Sequence, residues 1–95
     1  MADAWLEAAK ITAERELHEK GFLHLHARLY GQHLVIYSEA GDERDNRARL
    51  TQTRRDVFRM GMANHHGRWE PAPFTGTLSE MLTVLMEQFG FILAK

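Results

Sequence analysis

Hydrophobic and polar residues follow two different periods along this chain. Near both ends the apolar residues recur every three or four positions, which is typical of a helix that buries one face. Between the ends they recur every second position, as in strands that bury one face of a sheet. The pattern therefore predicts a helix, a set of strands and a second helix, in that order.

The first helix is predicted over residues 4–20. Asp3 is suited to cap its first turn, since its carboxylate accepts hydrogen bonds from backbone N–H groups. Gly21 is expected to end the helix in the left-handed conformation, so that Phe22 contacts Leu17 as in a Schellman cap. The predicted buried stripe consists of Trp5, Ala9, Thr12, Ala13 and Leu17.

The last helix begins at Thr77, where residues 77–80 (TLSE) form a capping-box pattern. Gly90 is expected to stop this helix and to place Phe91 against Met86. Residues 91–95 (FILAK) are too apolar to remain in solvent, so they either cover an edge of the core or join a dimer contact. The predicted apolar face of the helix consists of Leu78, Met81, Leu82, Leu85, Met86 and Phe89.

The first two strands lie in residues 22–38 (FLHLHARLYGQHLVIYS). A two-residue turn at Gly31-Gln32 sets Tyr30 opposite His33. Alternation then gives an apolar face and a polar face. The apolar face carries Leu23, Leu25, Ala27, Leu29, Leu34 and Ile36. The polar face carries His24, His26, Arg28, Tyr30, His33, Val35 and Tyr37.

The later strands are placed by register. A charged loop is predicted over residues 39–46, followed by a strand over residues 47–53. A three-residue turn over residues 54–56, with Asp56 left-handed, aligns Leu50 with Met60, Ala48 with Met62 and Gln52 with Phe58. A four-residue turn over residues 64–67 would pair Met62 with Trp69, which would then cap the core. Pro71 and Pro73 are expected to end the sheet.

These elements predict one α+β domain over residues 1–95. An N-terminal helix, an antiparallel meander of about five short strands and a C-terminal helix follow one another, and both helices pack on one face of the sheet. The other face is left open. Antiparallel sheets commonly have one face on the core and one in water.

Charge is strongly segregated, although the formal net charge is only −1. Residues 44–69 contain seven arginines and two aspartates, whereas residues 1–43 contain four cations and eight acids. Such asymmetry indicates a charged partner or an internal dipole. There is no cysteine, which excludes disulfides and cysteine-based zinc sites. No membrane span or signal peptide is predicted, and the expected location is the cytoplasm.

The open face is the candidate binding surface. Arginines contact phosphates or carboxylates, and exposed aromatic rings stack on bases. This layout resembles, in fold alone, that of sheet-based single-strand binders such as RRM and PUR-type repeats, although no RNP-like motif is present. The expected partner is single-stranded nucleic acid or an acidic protein, which would also suit an inhibitor or immunity-type protein. The predicted surface consists of His24, His26, Arg28, Tyr30, Tyr37, Arg47, Arg49, Arg59 and Arg68, with His33 beside them.

Three other interpretations stay open. The face is also explained as a plain solvated surface, with Arg49 meeting Glu70 across the space left by Gly61. His24 and His26, with Glu39 opposite, are candidate metal ligands. A structural homo-oligomer would use the apolar tail or a strand edge. No nucleophile–base pair or phosphate loop is apparent, so neither an enzyme nor a cofactor is predicted.

Overall fold

The computed structural model describes residues 4–95, in which a helix precedes five antiparallel strands and two further helices follow them. The strands form a single meander in the order β1-β2-β3-β4-β5. The predicted α+β fold is therefore confirmed. The elements are α1 (Ala4–Glu19), β1 (His26–Tyr30), β2 (His33–Ala40), β3 (Glu43–Arg54), β4 (Val57–Ala63), β5 (Trp69–Gly76), α2 (Leu78–Gln88) and α3 (Gly90–Leu93).

The C-terminal end of α1 and the N-terminal end of α2 follow the predicted capping patterns. Gly21 is left-handed, and the N–H of Phe22 donates to the carbonyl of Leu17, as a Schellman cap requires. Thr77 and Glu80 form the predicted reciprocal capping box at the start of α2. Trp5 is 55% exposed, so the buried stripe of α1 begins one residue later than predicted. The N-cap predicted at Asp3 lies outside the described residues.

The C-terminal segment differs from the prediction. Gly90 is not left-handed; it begins the short helix α3 after α2 has ended. Phe91 is 73% exposed, whereas Leu93 is fully buried in the core. Of the two uses predicted for the apolar tail, covering the core edge is the one the structure displays. Leu93 is the apolar side chain that holds the segment there.

Residues 39–46 are not a loop. β2 and β3 continue through this segment and meet at a two-residue turn, where Gly41 is left-handed. A β-bulge interrupts their pairing, because Ile36 is opposite Ala48 but Tyr37 is opposite Asn46. Arg47 is the extra residue. The bulge shifts the alternation of β3 by one position from there to its N-terminal end.

The pairing of β3 with β4 has the predicted register, with Leu50 opposite Met60 and Gln52 opposite Phe58. The turn itself is tighter than predicted, because Arg54 pairs with Val57 and the extra residue is accommodated by an irregularity at Thr53. No non-glycine residue among those described has a positive φ, so the predicted left-handed conformation of Asp56 is wrong.

The hairpin between β4 and β5 is shifted by one residue from the prediction. Ala63 is opposite Trp69, and Met62 is opposite Glu70. The side chain of Asn64 accepts hydrogen bonds from the N–H groups of His66 and Arg68, which closes a three-residue loop over residues 65–67. The left-handed residue of this loop is glycine, at position 67.

Pro71 and Pro73 lie within β5 and do not end the sheet. They are tolerated because β5 is an edge strand, where a missing N–H costs no ladder hydrogen bond.

The core lies between the sheet and the helices. α1 lies beside β1 and β2, whereas α2 lies on β4 and β5. Leu17, Leu34, Leu50 and Leu85 are among its fully buried side chains. Among the described helices, none combines the length and the apolar character that crossing a bilayer requires.

Candidate functional site

The sheet face opposite the core carries rows of side chains that cross several strands. One row runs from Arg28 through Val35 and Arg49 to Gly61, each residue opposite the next. Val35 is only 4% exposed, although it is on this face, because the long side chains of Arg28 and Arg49 flank it. The two arginines are thus held close to the sheet surface.

A second row crosses the same face one pleat further along. Tyr30 is opposite His33, His33 is opposite Thr51, and Thr51 is opposite Arg59. Tyr30 is 70% exposed. The Nδ1 atom of His33 lies 2.8 Å from the hydroxyl oxygen of Thr51. Burial, together with the positive charges of Arg49 and Arg59, lowers the pKa of His33 below its usual 6.5.

Two guanidinium groups lie against the ring of Tyr37. The guanidinium carbon of Arg44 is 5.0 Å from the ring centroid, and that of Arg28 is 5.6 Å from it. Both distances are within the range of a cation–π contact. Arg28 also donates to the side-chain oxygen of Asn46 at 3.3 Å. These contacts orient the two cations.

Arg49 makes the corresponding contact with Trp69, whose ring centroid lies 4.9 Å from the guanidinium carbon. Arg49 reaches it by crossing Gly61, where a Cβ would lie 3.4 Å from the Arg49 Cγ and Nε atoms. The space at Gly61 is therefore used as predicted. The expected contact with Glu70 is replaced by the one with Trp69, because the register of β5 differs. Glu70 instead accepts a hydrogen bond from the side chain of Asn64.

We call this surface the arginine–aromatic face. Within residues 4–95, none of its arginines forms an ion pair. Two shallow depressions of about 340 and 300 Å³ lie on it, and both are bordered by Arg49 and Trp69. The arrangement offers charged hydrogen-bond donors beside flat apolar rings, which suits an anionic, partly aromatic ligand. The face consists of Arg28, Arg44, Arg49, Arg59, Tyr30, Tyr37 and Trp69, with His33 and Asn46 beside them.

Three residues of the predicted surface lie elsewhere. Arg47 contacts the carbonyl of Ile92 and the buried hydroxyl of Ser38, so it lies on the helix side of the sheet. The bulge at Arg47 causes this inversion. Arg68 is exposed but falls on the same side as Met62, because the hairpin is shifted by one residue. His24 precedes β1, and its Nε2 donates to the carbonyl of Leu93.

Sequence reasoning missed Arg44, Asn46 and Trp69 as residues of this face. The bulge brings the first two onto it, and no local residue pattern announces a bulge at Arg47. Trp69 was predictable in principle. An Asn at position 64 followed by Gly67 fits a three-residue hairpin loop, which would have set Trp69 opposite Ala63.

The histidines are grouped differently from the predicted metal site. Glu39 lies opposite Arg44 in the sheet, and His24 is held by the C-terminal segment. Among the described residues, the one set of three side chains with metal-ligating atoms close together consists of Glu14, His18 and His26. His26 is the only member shared with the predicted set.

Comparisons with known proteins found no match to this chain among protein-family models, curated proteins or solved structures.

Proposed function

We propose that this chain is a small, non-enzymatic binding module that holds single-stranded nucleic acid on the arginine–aromatic face. The observation that supports it is the presence of four arginines, unpaired with acids in residues 4–95, among three aromatic side chains on one face of the sheet. The cytoplasmic location expected from the sequence is part of the proposal.

The arginines supply the contacts to the nucleic-acid backbone. A guanidinium group forms charge-assisted, bidentate hydrogen bonds with phosphate oxygens. Arg28 and Arg49 are separated by one strand, which places their Cα atoms roughly 10 Å apart. Arg59 lies on the strand beyond Arg49. A flexible single strand crossing the sheet would therefore meet several cations in succession.

The aromatic side chains supply stacking surfaces for bases. Tyr30 is exposed, and no guanidinium group within residues 4–95 lies over its ring, so a base stacks there directly. Tyr37 and Trp69 carry guanidinium groups at their rings. A base that displaces such a group also frees it for a phosphate. Each stacked base contributes about 1–3 kcal/mol to binding.

An acidic protein partner is the second candidate. The specific observation in its favour is that Arg28, Arg44 and Arg49 are already oriented by ring contacts in the free protein. Arginines held in this way present their donors to carboxylates at little further entropic cost. An inhibitor or immunity-type role belongs to this alternative.

The experiment measures the anisotropy of a fluorescent single-stranded oligonucleotide with increasing protein at several salt concentrations. The affinity of the native chain should fall steeply with salt, with a slope in the logarithmic plot of about −0.7 per phosphate contact. Arg28→Ala and Arg49→Ala should each weaken binding and reduce the slope by about that amount. Arg68→Ala is the matched control, because it removes an exposed arginine that is not on the face.

The nucleic-acid proposal would be excluded if the oligonucleotide bound weakly and without salt dependence. It would also be excluded if Arg49→Ala and Arg68→Ala lost the same amount of affinity for the oligonucleotide. Pull-downs from lysate, with and without nuclease, separate the two candidates. The acidic protein partner would be favoured if one acidic protein stayed bound after nuclease treatment, and if Arg49→Ala abolished its retention while Arg68→Ala did not.

Homo-oligomerisation remains a prediction. The edge of β1 already has bonds to α1, through Glu14 and His18, and the edge of β5 contains Pro71 and Pro73. These features disfavour strand addition at either edge. Phe91 remains an exposed apolar side chain in the C-terminal segment. Light scattering at high concentration, on the native chain and on Phe91→Ser, tests a dimer formed through it.

A further inference from the structure

Glu14, His18 and His26 meet beside the edge of β1. One potential metal-ligating atom from each side chain lies within 4.8 Å of those of the other two. Glu14 and His18 are four residues apart on α1, so they project from the same side of the helix. His26 is the first residue of β1, and its ring centroid is 6.1 Å from that of His18. None of the three is fully exposed.

The two helix side chains are held in position by the backbone on either side of His26. Glu14 Oε2 accepts a hydrogen bond of 2.8 Å from the N–H of Ala27. His18 Nε2 donates to the carbonyl of Leu25 over 2.7 Å. Both bonds satisfy groups at the edge of the sheet, and this structural role is sufficient to explain them. They also fix the two side chains at the same place as His26.

Each of these bonds leaves a further potential ligand atom on the same side chain without a hydrogen bond to that backbone. A neutral imidazole that donates through Nε2 keeps its lone pair on Nδ1, and Glu14 retains its other carboxylate oxygen. A histidine ligand commonly donates its second ring nitrogen to a backbone carbonyl, which orients the ring and makes the free nitrogen a better ligand. His18 already has this arrangement with Leu25.

We propose that Glu14, His18 and His26 bind a divalent transition-metal ion of the zinc class. Two imidazoles and one carboxylate are a donor set used for such ions, and three protein ligands leave positions for water. Ligand atoms at 2.0–2.1 Å from a tetrahedral ion are about 3.4 Å apart, so atoms that already lie within 4.8 Å of one another need to approach by at most on the order of 1 Å. A shallow surface cavity bordered by Glu14 and His18 gives solvent access.

This site adjoins the arginine–aromatic face, because His26 lies opposite Tyr37 and their ring centroids are 5.7 Å apart. Glu14 and His18 lie on α1, so Glu14→Gln tests the metal site without changing that face. The test is titration of the full chain with Co²⁺, followed by visible absorption, and then displacement by Zn²⁺. One Co²⁺ should bind per chain. His26→Ala and Glu14→Gln should each raise the dissociation constant at least about tenfold. In Glu14→Gln the amide oxygen still accepts from Ala27, so the edge contact is preserved while a ligand charge is lost.

His65→Ala/His66→Ala is the control, because those two exposed histidines form the other close histidine pair. Its affinity for Co²⁺ should stay within about twofold of the native value. Zn²⁺ should also raise the melting temperature of the native chain and of this control, but not of His26→Ala. Absence of stoichiometric Co²⁺ binding, or retention of the native affinity in both His26→Ala and Glu14→Gln, would overturn the proposal. So would loss of binding in the control. If His26→Ala does not fold, Glu14→Gln alone decides.

Discussion

Arg47 donates a hydrogen bond of 2.8 Å from Nη1 to the carbonyl of Ile92, which joins the middle of β3 to the C-terminal segment. The same side chain donates to the carbonyl of Ala94 and to the hydroxyl of Ser38, and only 14% of it is exposed. This single cation therefore satisfies backbone carbonyls near the end of α3 that lack partners within the helix.

Replacing Arg47 should destabilise the fold. Arg47→Met keeps an apolar stem but leaves the carbonyls of Ile92 and Ala94 without this donor, so the free energy of unfolding should fall by about 2–3 kcal/mol. Urea denaturation measures it. Arg68→Met is the control and should stay within about 0.5 kcal/mol of the native value, because Arg68 is exposed. Equal stabilities of the two variants would show that the contacts of Arg47 contribute little.

Gly21 and Gly90 both follow helices, yet they should respond differently to alanine. Gly21 has a φ of 96°, where an L side chain is strained, so Gly21→Ala should cost about 1–2 kcal/mol. Gly90 lies at the start of α3, is not left-handed and has open space at its Cβ position. Gly90→Ala should therefore be neutral or stabilising by up to about 1 kcal/mol. Thermal melts of the two variants compare these effects, and a similar loss in both would contradict the assignment.

Gly61 should tolerate alanine but not a branched side chain. Its backbone is not left-handed, and an added Cβ would be in ordinary contact, 3.4 Å from Arg49 Cγ. Gly61→Ala should change stability by less than about 1 kcal/mol. Gly61→Val adds two methyl groups at the position of the Arg49 stem, so Arg49 should leave Trp69. We expect weaker oligonucleotide binding for Gly61→Val than for Gly61→Ala, measured by anisotropy. Equal affinities of the two variants for the oligonucleotide would show that binding does not depend on the position of Arg49.

His33 should contribute to a loss of stability in acid. Burial, with Arg49 and Arg59, lowers its pKa in the folded chain below 6.5. As the pH falls through 6.5, the unfolded chain therefore binds a proton at this position before the folded chain does. The contribution of His33 is complete above that pH and declines until the lower, folded pKa is reached.

The corresponding measurement is urea denaturation of the native chain and of His33→Gln at about pH 7.5 and about pH 5.5. The stability difference between the two pH values should be smaller in His33→Gln. His65→Gln, in the exposed β4–β5 loop, is the matched control and should keep the native difference. An unchanged pH dependence in His33→Gln would contradict the lowered pKa.

Much of the candidate surface was predictable where the strands are regular. The prediction placed Arg28, Tyr30 and His33 on the correct face. The two-residue turn at Gly31-Gln32 fixes the register of the first hairpin, and side chains then alternate between the two faces of each strand. Arg47 was misplaced, because a bulge is an extra residue whose position depends on what the strand contacts on both faces. Arg68 was misplaced because a one-residue difference in a turn inverts the following strand.

Residues far apart in sequence account for the remaining differences. His24 was assigned to the polar face, yet it bonds to the carbonyl of Leu93, a residue 69 positions further along the chain. Glu14 and His18 were read only as residues of α1. They approach His26 because α1 lies along the edge of β1, and no spacing within either segment contains that information.

The sequence by itself determined the order of helices and strands, the caps at Gly21 and Thr77, and the register of the first hairpin. These features depend on local hydrogen bonding and on periodic burial, which neighbouring residues define. The tertiary structure alone decided the bulge at Arg47, the hydrogen bond from His24 to Leu93 and the meeting of Glu14 with His26. Those relationships depend on packing and hydrogen bonding between distant segments, which become defined only when the strands and helices come together around one core.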